Sequence, residues 1–126
     1  LVEKEFLSAK LYYDLGSYVG NMTYGGSNYE ACVVTAENAL KDYPYASAER
    51  REEFAVMIVR AKYQLAMKSV EEKRVERFRR VVDECYAFRK DYPESTHLKE
   101  VNSMLSNAES IIKKKHIQIQ DTEETN

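Results

Sequence analysis

The sequence predicts an all-α chain built as a stack of helical hairpins. Three observations carry this. An apolar period of 3.6 runs through almost all of the 126 residues, strand-like alternation is sustained nowhere, and a four-residue block recurs at a fixed offset. Composition agrees: 44% of residues are hydrophobic, enough for a core, while 4 Gly and 2 Pro are too few for an all-β sandwich or a disordered chain.

Five apolar-periodic stretches follow one another. The first places Val2, Phe6, Ala9 and Tyr13 on one face, and Gly16 and Gly20 are expected to break it. The second follows Gly25-Gly26-Ser27-Asn28 and gives Tyr29, Cys32, Val33, Ala36, Ala39 and Leu40, until Pro44 closes it. The third reads Phe54, Met57, Ile58, Ala61 and Leu65. The fourth reads Phe78, Val81, Val82, Cys85 and Phe88, and Pro93 closes it. The fifth carries Leu98, Val101, Leu105, Ala108, Ile111 and Ile112, with Ser95 as its candidate N-cap. Lys113, Lys114 and Lys115 are expected in its last turn, where cations oppose the negative dipole end. The repeat domain is therefore drawn over residues 1–117, and 118–126, polar and without a hydrophobic face, is expected to be a disordered tail.

The repeat decides the organisation. Lys41-Asp42-Tyr43-Pro44 recurs as Lys90-Asp91-Tyr92-Pro93, an offset of 49 that also sets Tyr29 on Phe78, Cys32 on Val81, Ala36 on Cys85 and Ala39 on Phe88. One residue out of step, Tyr13, Leu15 and Gly16 fall on Tyr63, Leu65 and Ala66. Helices one and two thus form a hairpin, helices three and four its copy, and helix five opens a third unit. Helix one also bears a second apolar face of Leu7, Leu11 and Leu15, roughly 150° from the first at 100° per residue. Helix five has one apolar face, with Lys99, Ser103, Ser106, Ser110 and Lys113 behind it. Terminal repeats need a polar outer surface. The expectation is that helix five caps the array, that something packs before helix one, and that the chain is the C-terminal portion of a longer solenoid.

Tyr29, Cys32, Ala36, Ala39, Leu40 and Pro44 match the second helix of a tetratricopeptide repeat, and Leu11-Tyr12-Tyr13-Asp14-Leu15-Gly16 resembles that family's first helix. The period of 49 exceeds the family's roughly 34, which the sequence attributes to long loops at Ser17–Asn28 and Ser69–Val75. More narrowly, "LVEKEFLSAKLYYDLG", "ALKDYPYA" and "RFRRVVDECYAFRKDYPES" are similar to the C-terminal repeats of the BamD family of outer-membrane assembly lipoproteins, in its Bacteroidetes-type form. The resemblance implies a right-handed tetratricopeptide-like solenoid at the periplasmic face of the outer membrane. It would be lipid-anchored through an upstream cysteine, and would dock on the periplasmic domains of a β-barrel insertase and help deliver unfolded outer-membrane proteins. A generic tetratricopeptide adaptor for a soluble partner, or an accessory domain of an enzyme, are the rival readings.

Several chemistries are disfavoured outright. A net charge of −2 gives no global field for a nucleic-acid backbone, and no apolar run reaches the length of a membrane span. His97 and His116 are 19 residues apart, about 28 Å along a helix, so they cannot share a metal or a proton. With two cysteines, no spaced Cys/His cluster can form, and no nucleophile has a recognisable base partner. The expectation is no enzyme and no cofactor.

Binding residues are what remains. Cys32 and Cys85 lie on apolar faces and are read as buried thiols. Tyr43 and Tyr92, before the prolines, are read as seals on helix ends. Basic residues outnumber acids between Arg50 and Tyr92, but acids interleave with them and the run reads first as a solvated helical face; failing that, Lys73, Arg77, Arg79 and Arg80 form a small positive patch better suited to a partner's carboxylate than to phosphate. The candidate partner-binding residues are Tyr18 and Tyr24 on the Gly-bearing loop, and Tyr12 and Lys62 at matching positions of a concave wall made by the first helices. The rival reading of that loop folds it back to bury Tyr18 and Val19.

Overall fold

The computed structural model describes residues 1–18 and 25–125, with Tyr18, Ser27 and Thr125 described by backbone alone. Within these residues the chain is all-helical: α1 (Val2–Tyr18), α2 (Gly25–Asp42), α3 (Ala48–Met67), α4 (Glu71–Asp91) and α5 (Leu98–Thr125). Each helix packs on its neighbours in the chain. The first helices of successive hairpins also touch, α1 with α3 and α3 with α5, whereas the backbones of α2 and α4 do not approach. The result is a solenoid-like stack of helical hairpins, as the period and the repeat predict.

Two apolar cores hold it, and α3 belongs to both. Its Phe54, Met57, Ile58 and Ala61 join Ala9 of α1 and Tyr29, Cys32, Val33, Ala36 and Ala39 of α2. Its Val56, Val59 and Ala66 join Phe78, Val81, Cys85 and Phe88 of α4 and Val101, Met104, Leu105 and Ala108 of α5. No polar or charged side chain is buried among the described residues.

The repeat is visible side chain by side chain. Phe6, Ala9, Tyr13 and Gly16 of α1 stand in register with Val56, Val59, Tyr63 and Ala66 of α3. Tyr13 meets Tyr29 edge-on with centroids 5.6 Å apart, and Tyr63 meets Phe78 in the same way at 6.1 Å. Arginine–carboxylate pairs link the first helices: Arg50 reaches Glu3 at 2.7 Å and lies over the Phe6 ring, and Arg60 grips both oxygens of Glu100 at 2.7 Å.

Helix ends follow local chemistry. Ser47 caps α3, its Oγ accepting from the Arg50 N–H at 3.1 Å. Ser95 Oγ accepts from the His97 N–H at 2.9 Å just before α5. The Tyr43 and Tyr92 N–H groups bond back to Ala39 and Phe88 carbonyls before each proline, as seals on helix ends should. Arg51 of α3 adds donors to the Leu40 and Tyr43 carbonyls at the end of α2.

Four expectations change. Gly16 does not break α1; it lies buried inside it, because α1 crosses α2 there so closely that a Cβ would stand 2.8 Å from the Tyr29 ring. Gly20 and residues 21–24 lie outside the described residues, whereas Gly25–Asn28, read as loop, form the first turn of α2. The second hairpin owes its period to long helices rather than a long loop: α3 and α4 run 20 and 21 residues, leaving only 68–70 between them. No Gly or Pro interrupts Ser69–Val75, and Glu71 and Glu72 favour the helix start electrostatically. Finally, α5 continues through the segment read as a tail, so Lys113–Lys115 fall inside the helix. Lys115 Nζ meets Glu71 Oε1 of α4 at 3.2 Å, and Gln120 Nε2 meets His116 Nε2 one turn apart.

Two predictions follow from this packing. Overpacking costs about 1–3 kcal/mol, and alanine regains about 1 kcal/mol over glycine in a helix, so Gly16→Ala is expected to lose about 1 kcal/mol net. The urea midpoint reads it; an unchanged midpoint means that the Tyr29 ring yields freely. The Arg60 hydrogen bonds hold the Glu100 carboxyl below its ordinary value. That contribution is complete above the ordinary value near 4.5 and is lost as pH falls through the lowered one. The pair is partly exposed, so Glu100→Gln is expected to cost about 0.5 kcal/mol at pH 7 and nothing at the acid end. Melting temperatures of both proteins across that range test the sign.

Candidate functional site: two open surfaces

The first surface is the second apolar face of α1. Leu7 and Leu11 are 61% and 58% exposed, and Leu15 is exposed beside them. Their counterparts on α3 are Met57, Ala61 and Leu65. Met57 and Ala61 are buried, and Leu65 packs against the core that α2 builds. The same helix face is therefore covered in one repeat and bare in the other. Three leucines spaced four apart make a stripe that a helix can cover. The back of α5 is the opposite case, with Lys99, Ser103, Ser106, Ser110 and Lys113 all exposed.

The second surface is a furrow between α2 and α4, floored by α3, with a volume near 370 Å³. It exists because the second helices stand apart while the first helices touch. Leu65 of the floor and Val33 and Val34 of the α2 wall supply apolar lining, and Lys62, Arg77, Arg80 and Glu30 supply charge. Lys62 Nζ donates to Glu84 Oε1 at 2.6 Å. Arg77 is steadied by Nη1 donating to Ser69 Oγ at 2.6 Å.

The sequence candidates divide accordingly. Lys62 is not on a wall made by first helices; it lines the furrow among residues of α2 and α4. Two residues make a 200° turn on a helix, so Arg60, which reaches across to α5, points away from Lys62. Tyr12 takes the matching place on α1, moderately exposed on the flank of the leucine stripe, and no contact joins it to Lys62. Tyr24 lies outside the described residues, as does the Tyr18 side chain. The furrow itself was missed in the sequence, although the Lys73–Arg80 charge run marked one wall.

Chemistry at the cysteines is muted. Both are free and buried, and burial pushes both thiols up to about 12. Native protein at pH 8 is expected to resist a thiol-reactive dye that labels two groups after unfolding; rapid native labelling would contradict the packing. Among the described residues no three His, Cys, Asp or Glu side chains gather as metal ligands, and no helix is long and apolar enough to cross a membrane.

No family model matches the chain, and neither does any curated protein or solved structure.

Proposed function

We propose that this chain is a non-catalytic protein-binding scaffold, a BamD-like component of the machinery that assembles β-barrel proteins at the periplasmic face of the outer membrane. One observation supports the scaffold reading above the others. The Leu7–Leu11–Leu15 stripe is open on α1, while its repeat counterpart on α3 is covered by a helix, so the stripe is a helix-docking face that a further repeat of the same solenoid or a partner helix would cover. Rigid helical repeats bind through area and anchors rather than through a titrating group. The outer-membrane assignment draws on the resemblance of three sequence strings to the BamD family. In this reading the partners are the periplasmic domains of a barrel insertase and unfolded outer-membrane proteins, without nucleic acid.

The test is capture from bacterial envelope extracts by the immobilised chain, with mass spectrometric identification. Expected is an insertase carrying periplasmic repeat domains. A Leu7→Glu/Leu11→Glu variant, altered only where side chains are exposed, is expected to keep its helical circular dichroism and bind those purified domains about tenfold more weakly or worse. Capture of soluble proteins only would favour a generic adaptor and end the outer-membrane assignment. Equal binding by the variant would remove the stripe from the interface.

A further inference from the structure

We infer that the furrow between α2 and α4 is a docking site for an acidic, apolar-flanked protein segment, a surface separate from the α1 stripe. Its walls carry unlike charge. The α4 side presents Arg77 and Arg80 three residues apart, hence on one helix face, and the floor adds Lys62. The α2 side presents Glu30 alone among the charged lining residues.

The positions of these charges matter more than their number. Arg77 Nη1 is fixed on Ser69, but its Nη2 stands 3.6 Å from Glu30 Oε1, beyond a hydrogen bond. A pre-positioned guanidinium thus faces the furrow with a donor that its own chain does not fully engage. Among the described residues Arg80, 66% exposed, pairs with Glu76 one turn back on its own helix, an exposed pair of the weak kind that an incoming carboxylate displaces readily. Beside these cations Val34 is 54% exposed, with Val33 and Leu65 next to it. Carboxylate at the arginines and an aliphatic side chain on the valines is the chemistry that fits. The volume near 370 Å³ is at the small end of ligand clefts, so it takes a few side chains of a segment rather than a folded domain.

The same geometry disfavours phosphate. Glu30 borders the furrow at Arg77, so two charges concentrated on one phosphate group would meet that carboxylate more strongly than the same charge divided between two separate carboxylates. Glu30 is also an internal competitor: it occupies, loosely, the place a partner carboxylate would take.

The experiment is an NMR titration of the isotopically labelled chain with acetyl-Asp-Leu-Asp-Leu-amide, its Asn-Leu-Asn-Leu counterpart, and a version with phosphoserine at the first position. The acidic peptide is expected to shift the amides of Val33, Val34, Leu65, Arg77 and Arg80. The amide peptide is expected to bind about tenfold more weakly, as loss of a charged hydrogen bond implies. Arg80→Glu, at an exposed side chain, is expected to weaken the acidic peptide about tenfold, and Glu30→Gln to strengthen it about threefold. A merely structural Glu30 would not give that gain. Equal binding of the Asn peptide, no gain in Glu30→Gln, or shifts confined to α1 would each overturn the inference. Tighter binding by the phosphoserine peptide would replace it with a phosphopeptide site. None of these results bears on insertase capture through the α1 stripe, so the two readings fail independently.

Discussion

Everything in this molecule depends on α3 being buried from two sides. A helix with one apolar stripe can close one hairpin; a helix with two can join hairpins into an array. Phe54, Met57, Ile58 and Ala61 serve one core, and Val56, Val59 and Ala66 the other, so only α3 among the helices belongs to both clusters. The second helices then follow passively. Each lies against the first helix on either side, α2 on α1 and α3, and α4 on α3 and α5, which leaves α2 and α4 apart and opens the furrow. The candidate surface is thus a by-product of how α3 divides its faces.

The duplicated hairpin provides an internal control that a single repeat could not. Tyr13 on Tyr29 and Tyr63 on Phe78 solve the same packing problem with the same edge-on geometry. The first copy has Gly16 where a Cβ would stand 2.8 Å from ring carbons of Tyr29, and the second has Ala66 at the matching position. The comparison also shows that the leucine stripe is not scattered surface hydrophobicity, since its counterpart one repeat later is core.

Much of this was legible in residue spacing. Five helices, one core face of each, the prolines that end α2 and α4, the hairpin duplication and the buried thiols follow from period and repeat, whereas the second core face of α3, with Val56, Val59 and Ala66, does not. The errors have a common origin: a wheel assigns a residue to a face but does not say which neighbour stands opposite. Lys62 was placed on the wrong side of α3 for that reason. Gly16 was read by its propensity to end helices, when its lack of a Cβ answers a close approach by Tyr29 that only tertiary structure reveals. The residues after Ile112 have no clear stripe, so nothing in the periodicity argues for continuing α5; the ion pair of Lys115 with Glu71 of α4 is a tertiary contact that spacing does not show. Tyr12 and Lys62 were paired correctly as repeat equivalents, but equivalence does not make them neighbours.

The distribution of charge completes the functional logic. With no polar side chain buried among the described residues, the cores specify how the helices stack and offer no chemistry. Ion pairs are instead at the borders: Arg50 with Glu3 and Arg60 with Glu100 tie first helices together, and Arg77 with Glu30 spans the gap between second helices. The first two are short and direct, at 2.7 Å each, and mark contacts the fold has already made. The last is stretched to 3.6 Å across a groove with exposed valine beside it. A charge pair held too far apart to bond, over an apolar floor, is poor as a structural clasp. Its components are positioned better for a ligand that brings its own carboxylate than for each other.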